Sequence, residues 1–289
     1  MRAPPAPDAS AAAGTASLWP LAVARIAIGG LFLVRTTPLA ALVFGPVGSD
    51  ARPLLGWPAG DTVALGIGLS PLALEILCVT RTLGLVAFAL GVHARYAALV
   101  AVVSGYLVIY QAPFAFTSTQ YLLLQATLLL GLADASTVLA VRPEPARSPA
   151  SSRWLLRAFV ASVYLWAAFA KLRHDWLDGR TLAMFHEEGR LRGPLADWLL
   201  STPGRCAVVG PAIAFGELAI GPLLLYRRNR PFALILAASL HLGIEWMGHP
   251  DVIGWTMLCL LVVFVDGDRG PRRLQRIQTA ASSGQTTSP

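Results

Sequence analysis

The sequence is short of charge. Only 13% of its 289 residues are Asp, Glu, Lys or Arg, against roughly 25% in soluble globular domains. That leaves too few polar side chains to coat a water-facing surface, and no long polar block remains from which to build a second, soluble domain. Cysteine is scarce too: Cys78, Cys206 and Cys259 form no C-x-x-C pair. This argues against a metal or disulfide framework and makes them packing residues. There is no phosphate-binding glycine loop, no Ser-His-Asp spacing and no nucleic-acid module. The formal charge of +7 therefore fits arginines facing anionic lipid better than a nucleic-acid partner. Lysine is almost missing. Among 23 cationic residues there is one lysine, Lys171.

What fills the chain instead is 55% hydrophobic residues, arranged in long runs. A spanning helix needs roughly 20 mostly apolar residues. The runs predict an all-α polytopic membrane protein, a bundle of about eight transmembrane helices plus a short interfacial helix. The expected spans are Leu18–Arg35, Pro71–Gly91, Tyr96–Ala112, Tyr121–Val141, Trp154–Lys171, Cys206–Tyr226, Pro231–Gly248 and Val252–Val265. The interfacial helix is expected over Gly189–Leu200, with Trp198 as its anchor. Residues 1–17, rich in Ala and Pro, read as a disordered N-terminus and residues 267–289 as a disordered cytoplasmic tail, flanking a membrane domain over 18–266.

Arginine placement supplies direction. Arg142, Arg147 and Arg153 share one loop, Arg227, Arg228 and Arg230 another, and Arg272, Arg273 and Arg276 the tail. With eight alternating spans all three fall on one side. The loops Gln111–Gln120 and His249–Asp251 hold no Lys or Arg and fall on the other. A cell-membrane protein with both termini cytoplasmic is expected, with the connection after Lys171 facing outward.

Lysine differs from arginine in that a partly desolvated amine can lose its proton and act as a general base. Lys171 is accordingly either a base at the outer end of its helix or a snorkelling residue. If that helix continues, Lys171, His174, Asp175 and Asp178 share one face. A solvated salt-bridge face accounts equally for the last three. His241, Glu245 and His249 recur at i, i+4 and i+8, as a metal, proton-relay or ion-pair stripe; no metal is assigned. Intramembrane charges suggest sites or pairs, and an ion pair of Arg25 or Arg81 with Glu217, Glu75 or Glu245 is expected. The residues expected to line a pocket are Gln120, Tyr164, His174, Asp175, Trp176, Glu217, His241 and Glu245.

The segment Tyr164-x-x-Ala167-Ala168-x-x-Lys171-Leu172-x-x-Asp175-Trp176-x-x-Gly179 resembles the Tyr-Phe-x-Ala-Gly-x-x-Lys-Leu-x-x-x-Trp-x-x-Gly signature of HTTM domains. That membrane domain is shared with vitamin K-dependent γ-glutamyl carboxylase. The stretch from Thr119 to Leu124, the turn Leu132-Ala-Asp134-Ala-Ser136, and Leu240-His241 followed by Ile253-Gly-Trp255 are similar to further family elements. The resemblance covers residues 18 to 266. It implies Lys171 as the base that deprotonates a substrate at the outer face, with vitamin K or another quinol as the ligand, and aligns Glu217 with an acidic family residue. Departures are as informative. Ala168 replaces the family glycine, Ala170 the first of the carboxylase's paired lysines, and Ser118-Thr119-Gln120 its Asn-Asn-His. No stretch resembles the carboxylase's lumenal domain, so true glutamate carboxylation is not the expected reaction. Two functions follow from the resemblance: an enzyme using Lys171 on a quinol-like or peptidic substrate, or a non-enzymatic membrane partner in maturation or export of a secreted peptide. Partners expected besides the lipid bilayer are that quinol or peptide, and no nucleic acid.

Overall fold

The computed structural model describes residues 18–36, 69–111, 118–145, 150–248 and 252–265. The expected disordered ends, 1–17 and 267–289, and His249 lie outside the described residues. Among those residues there are helices and no strands. In chain order they are α1 (Trp19–Thr36), α2 (Pro71–Leu90), α3 (Ala94–Gln111), α4 (Ser118–Leu132), α5 (Ala150–Lys171), α6 (His174–Leu177), α7 (Arg180–Glu187), α8 (Pro194–Leu200), α9 (Pro203–Leu225), α10 (Arg230–Trp246) and α11 (Ile253–Leu261). A 3₁₀ turn, Val262–Phe264, extends the last.

Local chemistry sets several boundaries. Ser70 caps α2 by accepting a hydrogen bond from the Ala73 N–H at 3.2 Å, and Pro71 opens the helix. Thr202 and Pro203 repeat the device at α9. Pro211 and Pro222 lie inside α9 without ending it; neighbouring helices in a membrane bundle shelter the backbone groups that proline leaves unpaired.

Burial is inverted relative to a soluble protein. Leu72, Ile76, Leu83, Val208 and Ile235 are exposed on the outer helix faces, while Arg25, Arg81, Glu217 and His241 are buried. Such a surface suits hydrocarbon, and the buried polar groups must then find partners within the bundle. Four helices, at Trp19–Thr36, Leu72–Leu90, Ser151–Lys171 and Pro203–Leu225, are long and apolar enough to cross a membrane. Ala94–Tyr110 and Ile253–Phe264 are shorter apolar helices.

Two expectations need correction. The helix expected over Tyr121–Val141 runs from Ser118 to Leu132 instead. Beyond it the chain turns through positive φ at Asp134 and Leu139. The fully buried Arg25 of α1 holds this turn, its guanidinium donating to the Ala135 carbonyl at 2.9 Å and to the Leu139 carbonyl. Arg25 therefore satisfies main-chain acceptors and does not pair with Glu217. The expected helix over Gly189–Leu200 is confined to Pro194–Leu200, because Gly193 at φ 96° interrupts it. The helix α5 ends at Lys171, as its expected span does, so the continuation that would place His174, Asp175 and Asp178 on its face does not occur. Its last turn closes with the Leu172 N–H on the Ala168 carbonyl, and Arg173 is extended at φ −96°, ψ 155°.

The segment from His174 to Leu200 folds as a small helical cap with its own apolar core. Leu182, Leu191, Ala196 and Leu200 pack there against Cys206 of α9 and Met247 after α10. The Arg192 N–H donates to the Met247 carbonyl at 2.8 Å, tying the cap to the end of α10.

Candidate functional site

Antiparallel packing of α5 against α9 builds the site. Gly221 presents no side chain where α9 meets α5: a Cβ there would lie 2.9 Å from the Ala161 carbonyl. Nearer the start of α9, Gly210 abuts the Trp176 carbonyl of α6 so closely that a Cβ would collide with it. Between these two contacts Glu217 faces Lys171. The Lys171 ammonium donates to Glu217 Oε2 at 2.7 Å and Oε1 at 3.0 Å, and to the Ala167 carbonyl at 3.4 Å. The two side chains are only 18% and 8% exposed. The Trp176 ring lies 5.2 Å from Nζ, within cation–π range.

The pair opens on a cavity of about 260 Å³ between α5, α9, α10, α11 and the cap. Its polar side chains are Tyr164, Lys171, Glu217 and His241, and its remaining walls, which include Ala167, Phe185, Ile244 and Met257, are mostly apolar. Tyr164 and His241 form a second polar pair, with 2.9 Å between the phenol oxygen and Nε2. His241 is 7% exposed, and its Nδ1 is buried without a hydrogen-bond partner among the described residues.

Of the residues the sequence nominated, five therefore converge here: Lys171, Tyr164, Trp176, Glu217 and His241. The others do not. His174 projects outward with a side chain 95% exposed. Asp175 and Asp178 bind Arg180, at 3.1 Å and 2.7 Å. The Arg180 backbone N–H and side chain hold the Asp178 carboxyl below the usual carboxylate range. With α5 ended at Lys171, these residues do not share its face. Gln120 sits in the first turn of α4 and lines no wall of the cavity. Glu245 turns from the cavity toward Gly254 at the start of α11, so the His241–Glu245 stripe splits between two environments. Among the described residues no group of three His, Cys, Asp or Glu side chains is placed to hold a metal.

Sequence reading missed the cap's share of the cavity wall, Leu182, Phe185 and Leu191. Their signal was available in principle: Leu182 and Phe185 recur at helical spacing in the amphipathic α7.

The match to known families has its context here. The family model of the HTTM domain matches residues 66–268, a stretch that contains every residue of the Lys171 cavity. The chain belongs to the HTTM family. Neither a curated protein nor a solved structure matches it. In HTTM terms the Lys-Leu…Trp-x-x-Gly segment now has a physical reading. Lys171 ends α5, Trp176 packs over its ammonium, and Gly179 docks the cap on α9.

Proposed function

We propose that this HTTM protein is a membrane enzyme in which Lys171 is the general base. Its substrate is quinol-like or peptidic and inserts an apolar group into the cavity. The observation that carries this reading is a single amine paired with a single carboxylate at the edge of an apolar cavity. A proton passed from the ammonium to Glu217 leaves a neutral amine and a neutral acid. No isolated charge then remains in a poorly solvated site. The amine next takes an acidic proton from the substrate, and the new ammonium stabilises the resulting anion. Glu217 later returns its proton to solvent.

At about 260 Å³ the cavity is smaller than the roughly 300–1,000 Å³ of drug-sized pockets. It suits one ring or one side chain, with the rest of the substrate remaining outside. Apolar walls around the Lys171–Glu217 pair suit an oxygen-bearing ring, such as the head of vitamin K or another quinol. The second reading is a non-enzymatic partner in maturation or export of a secreted peptide. It is favoured by the saturation of all three ammonium donors with protein acceptors, which a purely structural lysine would also show.

The chain has one lysine, so trace acetylation with radiolabelled acetic anhydride, resolved by mapping the peptide that contains Lys171 away from the α-amino group, the tyrosines and the scaffold protein, reads that amine in the folded protein in lipid nanodiscs. Glu217→Gln, which removes the carboxylate holding the amine, is expected to raise the rate of acetylation by about tenfold or more. A lysine that resists acetylation at every pH until denaturation overturns the base reading.

We further propose eight spans in the cell membrane with both termini cytoplasmic and the Lys171 cavity toward the outside. The arginine-rich loops, and the shorter apolar helices beside the four long ones, support this arrangement. In a variant freed of Cys78, Cys206 and Cys259, Ser201→Cys should react with an impermeant thiol reagent in intact cells. Labelling only after lysis would reverse the orientation.

A further inference from the structure

Away from the Lys171 cavity, a polar pair sits on the outside of the bundle. Tyr106 of α3 and Gln125 of α4 are half-buried along the seam where those helices meet. The helices come so close there that a Cβ on Gly105 would strike the Leu124 side chain. The Gln125 amide N–H donates to the Tyr106 phenol oxygen. Among the described residues neither side chain has another hydrogen-bond partner. The pair is left with a donor, the phenol proton, and an acceptor, the amide oxygen, and that oxygen is not sealed inside the bundle. Turning the amide round changes which atoms are left over, but a donor and an acceptor still remain.

The surroundings are apolar and aromatic. Along α3, Leu99, Val103 and Tyr110 are exposed and share one stripe with Tyr106, at steps of three and four residues. The Tyr106 ring lies 6.1 Å from that of Tyr110 and 6.3 Å from that of Tyr121 on α4. Gln125 stands about two turns into α4, roughly 10 Å from its start. Hydrocarbon supplies neither a donor nor an acceptor, so polar groups left over against it are costly.

We propose that this seam is a homodimer interface, in which the Tyr106–Gln125 pair of one chain meets the same pair of a second copy. A two-fold axis there is self-complementary, because the donor left on each pair faces the acceptor left on the other. Lipid acyl chains offer neither group and lipid esters offer only acceptors, so a second copy satisfies the pair more fully. Helices associate in lipid through such hydrogen bonds and through close packing, and the α3 stripe supplies the packing surface. Dimerisation through this seam is independent of the chemistry at Lys171.

The test uses the full-length protein with one fluorophore per chain, reconstituted in liposomes over a series of protein-to-lipid ratios and counted by single-molecule photobleaching. Wild type is expected to bleach in two steps, with a dimer fraction that falls on dilution. Gln125→Leu should weaken association by about tenfold or more, since it removes both reciprocal bonds, and Tyr106→Phe should act in the same direction. Leucine suits a lipid-facing position, so the Gln125→Leu monomer should fold as wild type does; should it not, Tyr106→Phe decides by the same measurement. In a variant freed of Cys78, Cys206 and Cys259, Tyr110→Cys is expected to cross-link between copies with a short bis-maleimide. Val208→Cys, on the exposed face of α9, is expected not to. A wild type that bleaches in one step at every density overturns the proposal. So does undiminished association in the polar-pair variants, or cross-linking through Val208→Cys and not through Tyr110→Cys.

Discussion

Lys171→Arg is expected to lower the activity of the protein by about 10²–10⁴-fold, the range for loss of a general base, while leaving it assembled in the membrane. Arginine keeps the positive charge beside Glu217 and can bond both carboxylate oxygens. It cannot release its proton to act as a base. The substitution thus separates charge from basicity, which removal of the side chain does not. Lys171→Met strands the Glu217 carboxylate at 8% exposure, and breaking a buried pair this way costs about 3–5 kcal/mol. Loss of function in that variant would carry no information about chemistry. The double variant Lys171→Met/Glu217→Leu removes both charges and is expected to recover most of that stability without recovering function. Function is read by complementation in a strain where loss of the gene has a phenotype, and stability by thermal aggregation of a fluorescent fusion in detergent. An arginine variant that complements like wild type ends the base hypothesis and leaves Lys171 as a structural pin.

The second large effect is structural. Gly179→Ala is expected to destabilise the protein by more than about 3 kcal/mol, enough to remove most folded material from a marginally stable membrane domain. Gly179 has φ 79°, and a Cβ there would overlap the backbone of Cys206 and Ala207 at the start of α9. Backbone cannot yield as a flexible side chain does, so the cap must lift from α9. Gly210→Ala attacks the same contact from the other side, against the Trp176 carbonyl. Either change moves Trp176 from its place over Lys171. The measure is the monodisperse fraction of a fluorescent fusion on size exclusion. As a control, Gly204→Ala meets nothing within 4 Å and should behave as wild type. Wild-type recovery of Gly179→Ala would show that the cap does not dock through this contact.

Much of the helical architecture was legible because apolar runs and helix caps are local signals. The helix expected to begin at Pro71 does begin there, set by Ser70 and the proline, and the one expected to end at Lys171 ends there. The failures share a cause. The helix after Ser118 stops at Leu132 although apolar residues continue, since Arg25, 110 residues away from Ala135, supplies donors to the turn that follows. Asp175 looked like a neighbour of Lys171 only if the helix ran on. Once Arg173 is extended, Arg180 is the partner within reach. Composition and periodicity describe each helix alone and are silent on which faces meet.

Composition alone required a helical bundle in a membrane, for a chain with this little charge cannot cover itself in water. The solitary lysine singled out Lys171 without any coordinates. Its partner was beyond sequence reading. Glu217 is 46 residues away, and His241 lies 77 residues from Tyr164. Several arginines competed for the same acidic residues on paper. The packing of α5 on α9 through Gly221 chose among them, because an ion pair acts over a few ångströms and only the meeting of two helix faces sets such a distance.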